Sequence, residues 1–188
     1  MNGTTGLIVL AVIFGILLFI IFLYNSLIYK KNQIDNITGS IDTLLKKRFD
    51  LIPNLVEAVK QYMNYENKLI KDVVELRSKA SAVSNLKSKL ELEDELKEKL
   101  DILFVNFENY PDLKTSNNLL QLQLELSDIE SQISAARRTY SQVVTEFNNT
   151  LEMFPTNIVA SFLGYKRREV FFIPEGERKN IDLRNLFK

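Results

Sequence analysis

Apolar residues follow two regimes along this chain. Across residues 7–23 they run unbroken as LIVLAVIFGILLFIIFL, and from Ile34 onward they recur at spacings of three and four. An unbroken run of this length leaves no polar face for water and suits lipid, whereas a three–four repeat marks helices with one dry stripe. No Asp, Glu, Lys or Arg occurs from Met1 to Tyr29. A helix over residues 7–29 would be about 34 Å long, which crosses a hydrocarbon core of about 30 Å with modest tilt. Leu7, Leu10, Phe14, Leu18, Phe22 and Leu23 form the body of this anchor. Tyr24 and Tyr29 suit the membrane interface, and Lys30 and Lys31 close it with charge.

The second regime predicts a bundle. Ile34, Ile37, Ile41 and Leu44 carry the anchor on into a polar-faced helix. Pro53 lacks a backbone donor and its ring crowds the carbonyl of Phe49, so a break or strong kink is expected there, with Asp50 a candidate cap. The next helix carries Ile52, Leu55, Val59, Tyr62, Leu69, Val73, Leu76 and Ala80 and ends in the Ser-rich stretch 78–84. A charged helix follows with Leu92, Leu96, Leu103, Phe107 and Tyr110 on one face, and Pro111 ends it. The longest repeat is Leu119, Leu122, Leu126, Ile129, Ile133, Ala136, Tyr140, Val143 and Phe147. It has the seam of a left-handed bundle or coiled coil and predicts one helix over residues 115–153, stopped by Pro155. A short helix over 157–163, a β-rich stretch over 169–173 and a polar end complete the chain. Short connections imply antiparallel neighbours. The expected fold is all-α: a transmembrane helix, an antiparallel up-and-down bundle of long helices, and a short C-terminal tail with a small helix and an extended segment.

Composition narrows the chemistry. Lys+Arg and Asp+Glu balance at 24 each, and His, Cys and Trp are absent. The balance gives no basic field for nucleic acid. The missing side chains remove disulfides, thiol nucleophiles, ordinary zinc sites and imidazole acid–base chemistry. Carboxylates, Lys, Arg and Tyr remain, so an enzyme is not excluded, but the kit is poor, and no residue stands out as catalytic, cofactor-binding or metal-ligating. A cleaved signal peptide fits the N-terminus poorly: the n-region has no Lys or Arg, the apolar run is too long, and no Ala-x-Ala-like site follows. The segment reads as a signal-anchor. Basic residues cluster after it, at Lys30, Lys31, Lys46, Lys47 and Arg48, and none precedes it. The positive-inside rule then puts the N-terminus outside and the C-terminal domain in the cytoplasm.

Within the bundle, Lys46, Lys47 and Arg48 beside Asp50 read either as a lipid or partner contact or, preferably, as a solvated face with Arg48 paired inside. Arg138 could pair with Glu57, Asp50 or Glu130. Asn54 and Asn148 sit among apolar neighbours, where a buried amide more often fixes register than binds substrate. Phe154, Phe162, Tyr165, Phe171 and Phe172 either fold back to close one end of the bundle or form a docking surface for a membrane protein.

Several separated motifs run in order along the chain. They are YNSLI at 24–28, IDTLLKKRFDLIPNLVEAV at 41–59, ENYPDLKTSNNLLQLQLELSDIE at 108–130, ISAARRTY at 133–140 and FNNTLEMFPTNIVASFLGY at 147–165. Together they resemble the LemA family. The resemblance rests on Asp42, Arg48, Asp50, Pro53, Asn54, Tyr110, Pro111, Arg137, Arg138, Tyr140, Asn148, Phe154 and Pro155. It implies a bacterial single-span protein with a helical bundle and implies no catalytic residue. The expected organisation is an anchor over 1–29, a cytoplasmic bundle over 30–165 and a tail over 166–188. Three roles compete: a non-enzymatic scaffold that contacts lipid through its span and engages other membrane proteins, a self-associating membrane organiser, and a ligand-binding sensor or carboxylate-based enzyme.

Overall fold

The structure is a computed structural model that describes residues 3–60, 63, 67–114 and 116–170. Among these residues every regular element is helical: α1 (Gly3–Lys60), α2 (Asn67–Ala82), α3 (Leu86–Asn106), a 3₁₀ turn (Phe107–Asn109), α4 (Pro111–Lys114), α5 (Asn117–Glu152) and α6 (Thr156–Phe162). The all-α expectation holds. α1 is long and apolar enough to cross a membrane.

The chain divides into two compact units, one of residues 1–34 with 140–188 and one of residues 35–139. In the second unit, Ile41, Leu45, Phe49, Ile52, Leu55 and Val59 of α1 share a core with Val73, Leu96, Leu100, Leu103, Leu126, Ile129 and Ile133. Asn85 starts α3 by accepting from the backbone N–H groups of Lys87 at 2.9 Å and Ser88 at 3.2 Å, which satisfies two of the helix's orphan donors. α3 ends at Asn106, just short of Pro111, whose fixed φ opens the single turn of α4.

Four expectations are corrected. Of the break or strong kink expected at Pro53, the break does not occur: α1 runs through it to Lys60, which puts Ile52, Leu55 and Val59 on α1 and leaves Leu69, Val73, Leu76 and Ala80 to α2. The missing proline N–H frees the carbonyl of Phe49 four residues back, and Arg77 Nε of α2 donates to that oxygen at 3.1 Å. The orphan acceptor thus has a partner, and the helix survives its proline. The core face of α3 is also turned: Leu92 is half-buried, and Leu90, Glu93, Leu96 and Leu100 point inward. On α5 the seam holds at Leu119, Leu126, Ile129, Ile133, Ala136, Tyr140 and Phe147, but buries Val144 in place of Val143. Glu169 and Val170 form no strand; Phe171, Phe172, the remainder of the expected extended segment and Tyr62 lie outside the described residues.

In the first unit, Leu23, Leu27 and Ile34 of α1 are buried together with Tyr140, Val144 and Phe147 of α5 and Ala160 of α6. Lys30 Nζ lies 3.6 Å from Glu146 Oε2. α6 ends in a Schellman motif: Tyr165 N–H donates to Ala160 O and Gly164 N–H to Ser161 O, both at 3.1 Å. Gly164 takes φ of 70°, which a side-chain-bearing residue rarely adopts. The reversal lays Tyr165 edge-on against Phe147, with ring centroids 6.0 Å apart.

Candidate functional site

Two places gather the residues singled out above. The first is a charge cluster inside the unit of residues 35–139. Arg48, 3% exposed, puts Nη1 2.5 Å from Glu93 Oε1 and Nη2 3.8 Å from Glu130 Oε2. Glu130 also takes Lys97 Nζ at 2.5 Å. Beside this chain, Arg137 Nη1 meets Asp94 at 2.7 Å, and its Nη2 donates to Leu90 O at 3.4 Å. α1, α3 and α5 each supply a charge, so the cluster keys three helices together.

Glu93 is the unusual member, at 1% exposure. Although Arg48 is close, neither Glu93 oxygen receives an aligned hydrogen bond, and Arg48 Nε and Arg137 Nε also lack one. Burial outweighs the two arginines and pushes the Glu93 carboxyl up to about 7. Asp101, at the rim, is raised as well, first by burial and then by Glu130. Glu130 also borders a polar depression of about 390 Å³ on the surface, lined with it by Ser127, Ser131, Ser134 and Arg138, all on one helix. Arg138 is exposed and makes no ion pair with Glu57, Asp50 or Glu130; it is Arg137 that turns inward. Arg48 is paired inside, as preferred from sequence, while Lys46 makes an exposed contact with Asp50 at 4.0 Å. Asp42 takes Lys89 at 2.7 Å. Asn54 is exposed, contrary to expectation, because Ile52 and Leu55 on either side claim the inward face. Tyr110 is half-buried at the head of α4, and Pro111 is exposed.

The second place is the end of the unit holding the apolar segment. Leu7, Leu10, Phe14, Leu18, Phe22, Tyr24 and Tyr29 are exposed, whereas Leu23 is buried within the protein and Lys31 is half-buried. Tyr140 is buried on the α5 seam, and that burial raises its phenol above the ordinary value. Asn148 is buried as expected, but it holds the tail: its Nδ2 donates to Arg168 O and its Oδ1 accepts from Arg168 N–H, both at 2.9 Å. Thr156 Oγ1 donates to Thr150 O at 2.6 Å, tying α6 to the end of α5. Of the tail aromatics, Tyr165 folds back, while Phe154, preceding a cis bond to Pro155, is 80% exposed and Phe162 91%.

Sequence reasoning missed Glu93, Arg77, Gly164 and Arg168. Glu93 carried one signal, since it lies three residues before Leu96 and seven before Leu100, on their face.

Two comparisons place these residues. The LemA family profile matches residues 38–184. Protein LemA of Metamycoplasma hominis is 32% identical over 163 residues, covering 86% of this chain and 74% of the relative.

Proposed function

This chain belongs to the LemA family, and from that premise we propose that it is a single-pass membrane protein whose helical domain is a non-enzymatic scaffold on the cytoplasmic face. The observation that carries the reading is α1 itself. Its first part exposes Leu7, Leu10, Phe14 and Leu18 on all sides, which water would penalise and lipid would not, and the same helix continues into the bundle core. The interior charges favour a structural role, since Arg48, Glu93, Glu130 and Lys97 are spent on one another. The depression beside them is shallow and drawn from one helix, unlike the concave, convergent sites that ligands fill.

Partner contact falls to the exposed apolar side chains Ile102 and Val105 at the end of α3 and Leu120 and Leu124 at the start of α5. The Lys97–Glu130 and Asp94–Arg137 pairs set these helices antiparallel, which brings the four residues to the same end of the pair. A photo-crosslinking residue at Val105, in cells expressing the full chain, should yield discrete adducts with other membrane proteins, and the chain should resist alkaline extraction. Adducts of twice the chain mass alone would favour the self-associating reading. Membrane retention without any adduct from Val105 or Leu124 would argue against the scaffold.

A further inference from the structure

Two uncharged stretches share the unit of residues 1–34 and 140–188. One is the segment ahead of Lys30 and Lys31. The other is MFPTNIVASFLGY at 153–165, which also lacks Asp, Glu, Lys and Arg and is followed at once by Lys166, Arg167 and Arg168. The Lys30–Glu146 contact fixes their relative height. α5 climbs from Glu146 towards the N-terminal end of α1, so Met153 stands about 10 Å above Glu146, and Phe22 stands about 12 Å above Lys30. The turn into α6 is therefore level with the point where α1 stops being bare.

That point is sharp. Residues 3–22 of α1 are exposed apart from half-buried Gly6, and Leu23 is the first buried side chain. The apolar part of that stretch, Leu7 to Phe22, rises about 24 Å, most of a hydrocarbon core of about 30 Å, and leaves Thr4 beyond its outer end. The layer just beyond its inner end is the interface; the turn that opens α6 sits at that level, and α6 runs back from it towards Phe147, where Tyr165 packs. α6 is two-faced. Ala160 is 2% exposed and turned inward, while Ile158 and Phe162, four residues apart, are 61% and 91% exposed and share the outer face with Phe154 of the preceding turn. Water offers nothing to such a face, whereas an interfacial layer takes aromatic and aliphatic side chains with basic residues at their flank. Of those basic residues, Arg167 pairs with Glu152 at 2.6 Å, and Lys166 is exposed beside it.

We propose that the turn before α6 and its outer face, presenting Phe154, Ile158 and Phe162, insert into the interfacial layer of the same bilayer that α1 crosses. α6 is then a second, monotopic contact that fixes the tilt and rotation of the anchor. The inference rests on the anchor reading, and one experiment separates the two. The chain has no Trp, so a single introduced indole reports alone. Full-length Leu10→Trp, Phe162→Trp and Val105→Trp variants would be reconstituted in vesicles of phosphatidylcholine and phosphatidylglycerol. The acyl chains would be brominated near the headgroup or near the bilayer centre.

The Leu10→Trp variant should lose most of its emission to the centre-brominated lipid. The Phe162→Trp variant should lose most to the headgroup-proximal bromines and little to the central ones. The Val105→Trp variant should be unaffected by either. Quenching of Leu10→Trp with a water-like, unquenched Phe162→Trp would overturn the interfacial contact and leave the anchor standing. A blue-shifted but unquenched Phe162→Trp would also overturn it and point to a second copy of the chain as the cover. An unquenched Leu10→Trp would sink both. Ile158→Trp, on the same face, repeats the test should the change at Phe162 disturb the fold.

Discussion

Pro53 and Arg77 form a pair whose coupling can be measured. In an ordinary helix the N–H of residue 53 would bond to Phe49 O; here Arg77 Nε takes that oxygen at 3.1 Å, part-buried. A hydrogen bond from a charged donor contributes about 1.5–3 kcal/mol when sheltered, and partial exposure brings the expectation to about 1–1.5 kcal/mol. Arg77→Met keeps the apolar stem and removes the donor, so it should cost about that much. Pro53→Ala should be net stabilising by about 1–2 kcal/mol, because relief of a helix-interior proline outweighs the greater freedom returned to the unfolded chain. The informative quantity is the double variant. Once Ala stands at position 53, its N–H satisfies Phe49 O, and Arg77→Met should cost about 0.5 kcal/mol or less. The coupling is then about 1 kcal/mol. Urea unfolding of the full chain in detergent micelles, followed by helical circular dichroism, measures all four corners. Additivity within about 0.3 kcal/mol would refute the idea that Arg77 replaces the missing donor.

Glu93 makes stability depend on pH in a stated direction. Its folded value of about 7 lies above its ordinary 4.5, so the folded protein holds the proton more tightly and stability falls as pH rises through that window. Glu93→Gln should flatten the decline, and the wild-type-minus-variant difference between pH 5 and pH 8, read from denaturant melts, should be on the order of 2–3 kcal/mol. An unchanged slope would mean that Glu93 titrates normally. On α5, Ile133 is 3% exposed and Ser134 half-buried at the rim of the depression. Ile133→Ala should cost about 2–4 kcal/mol and Ser134→Ala under about 0.5 kcal/mol; equal small losses would show that the seam is not packed in the monomer.

Long-range features of the fold were legible where periodicity speaks clearly. The unbroken run gave the apolar part of α1, and the three–four repeat gave α5 to within two residues at its start and one at its end. The Pro53 break was misread because a proline's effect depends on whether something else can reach the freed carbonyl, and Arg77 is 28 residues away from Phe49. The phase of α3 was misread for a similar reason. Leu92 competes with Glu93 for the core, and only Arg48 on another helix decides that the carboxylate goes in. Arg48 itself was placed correctly, since a basic residue flanked by Lys47 and Phe49 at the edge of an apolar stripe can turn inward. Arg137 and Arg138 are adjacent and chemically alike, so the choice between them lay in a helix phase that one residue shifts. The tail was legible as a small helix, but the Asn148–Arg168 clasp that holds it is a backbone contact, which side-chain patterns do not report.

The scaffold reading stands on the apolar segment crossing a membrane with the helical domain on the cytoplasmic side. The chain has no cysteine, so single-cysteine variants report position without background. Thr4 and Asn54 are both exposed and lie on either side of the proposed span. In spheroplasts treated with a membrane-impermeant maleimide, the Thr4→Cys variant should be labelled at once, and the Asn54→Cys variant only after the membrane is permeabilised. Labelling at Asn54→Cys in sealed spheroplasts, with Thr4→Cys protected or equally reactive, would contradict the claim.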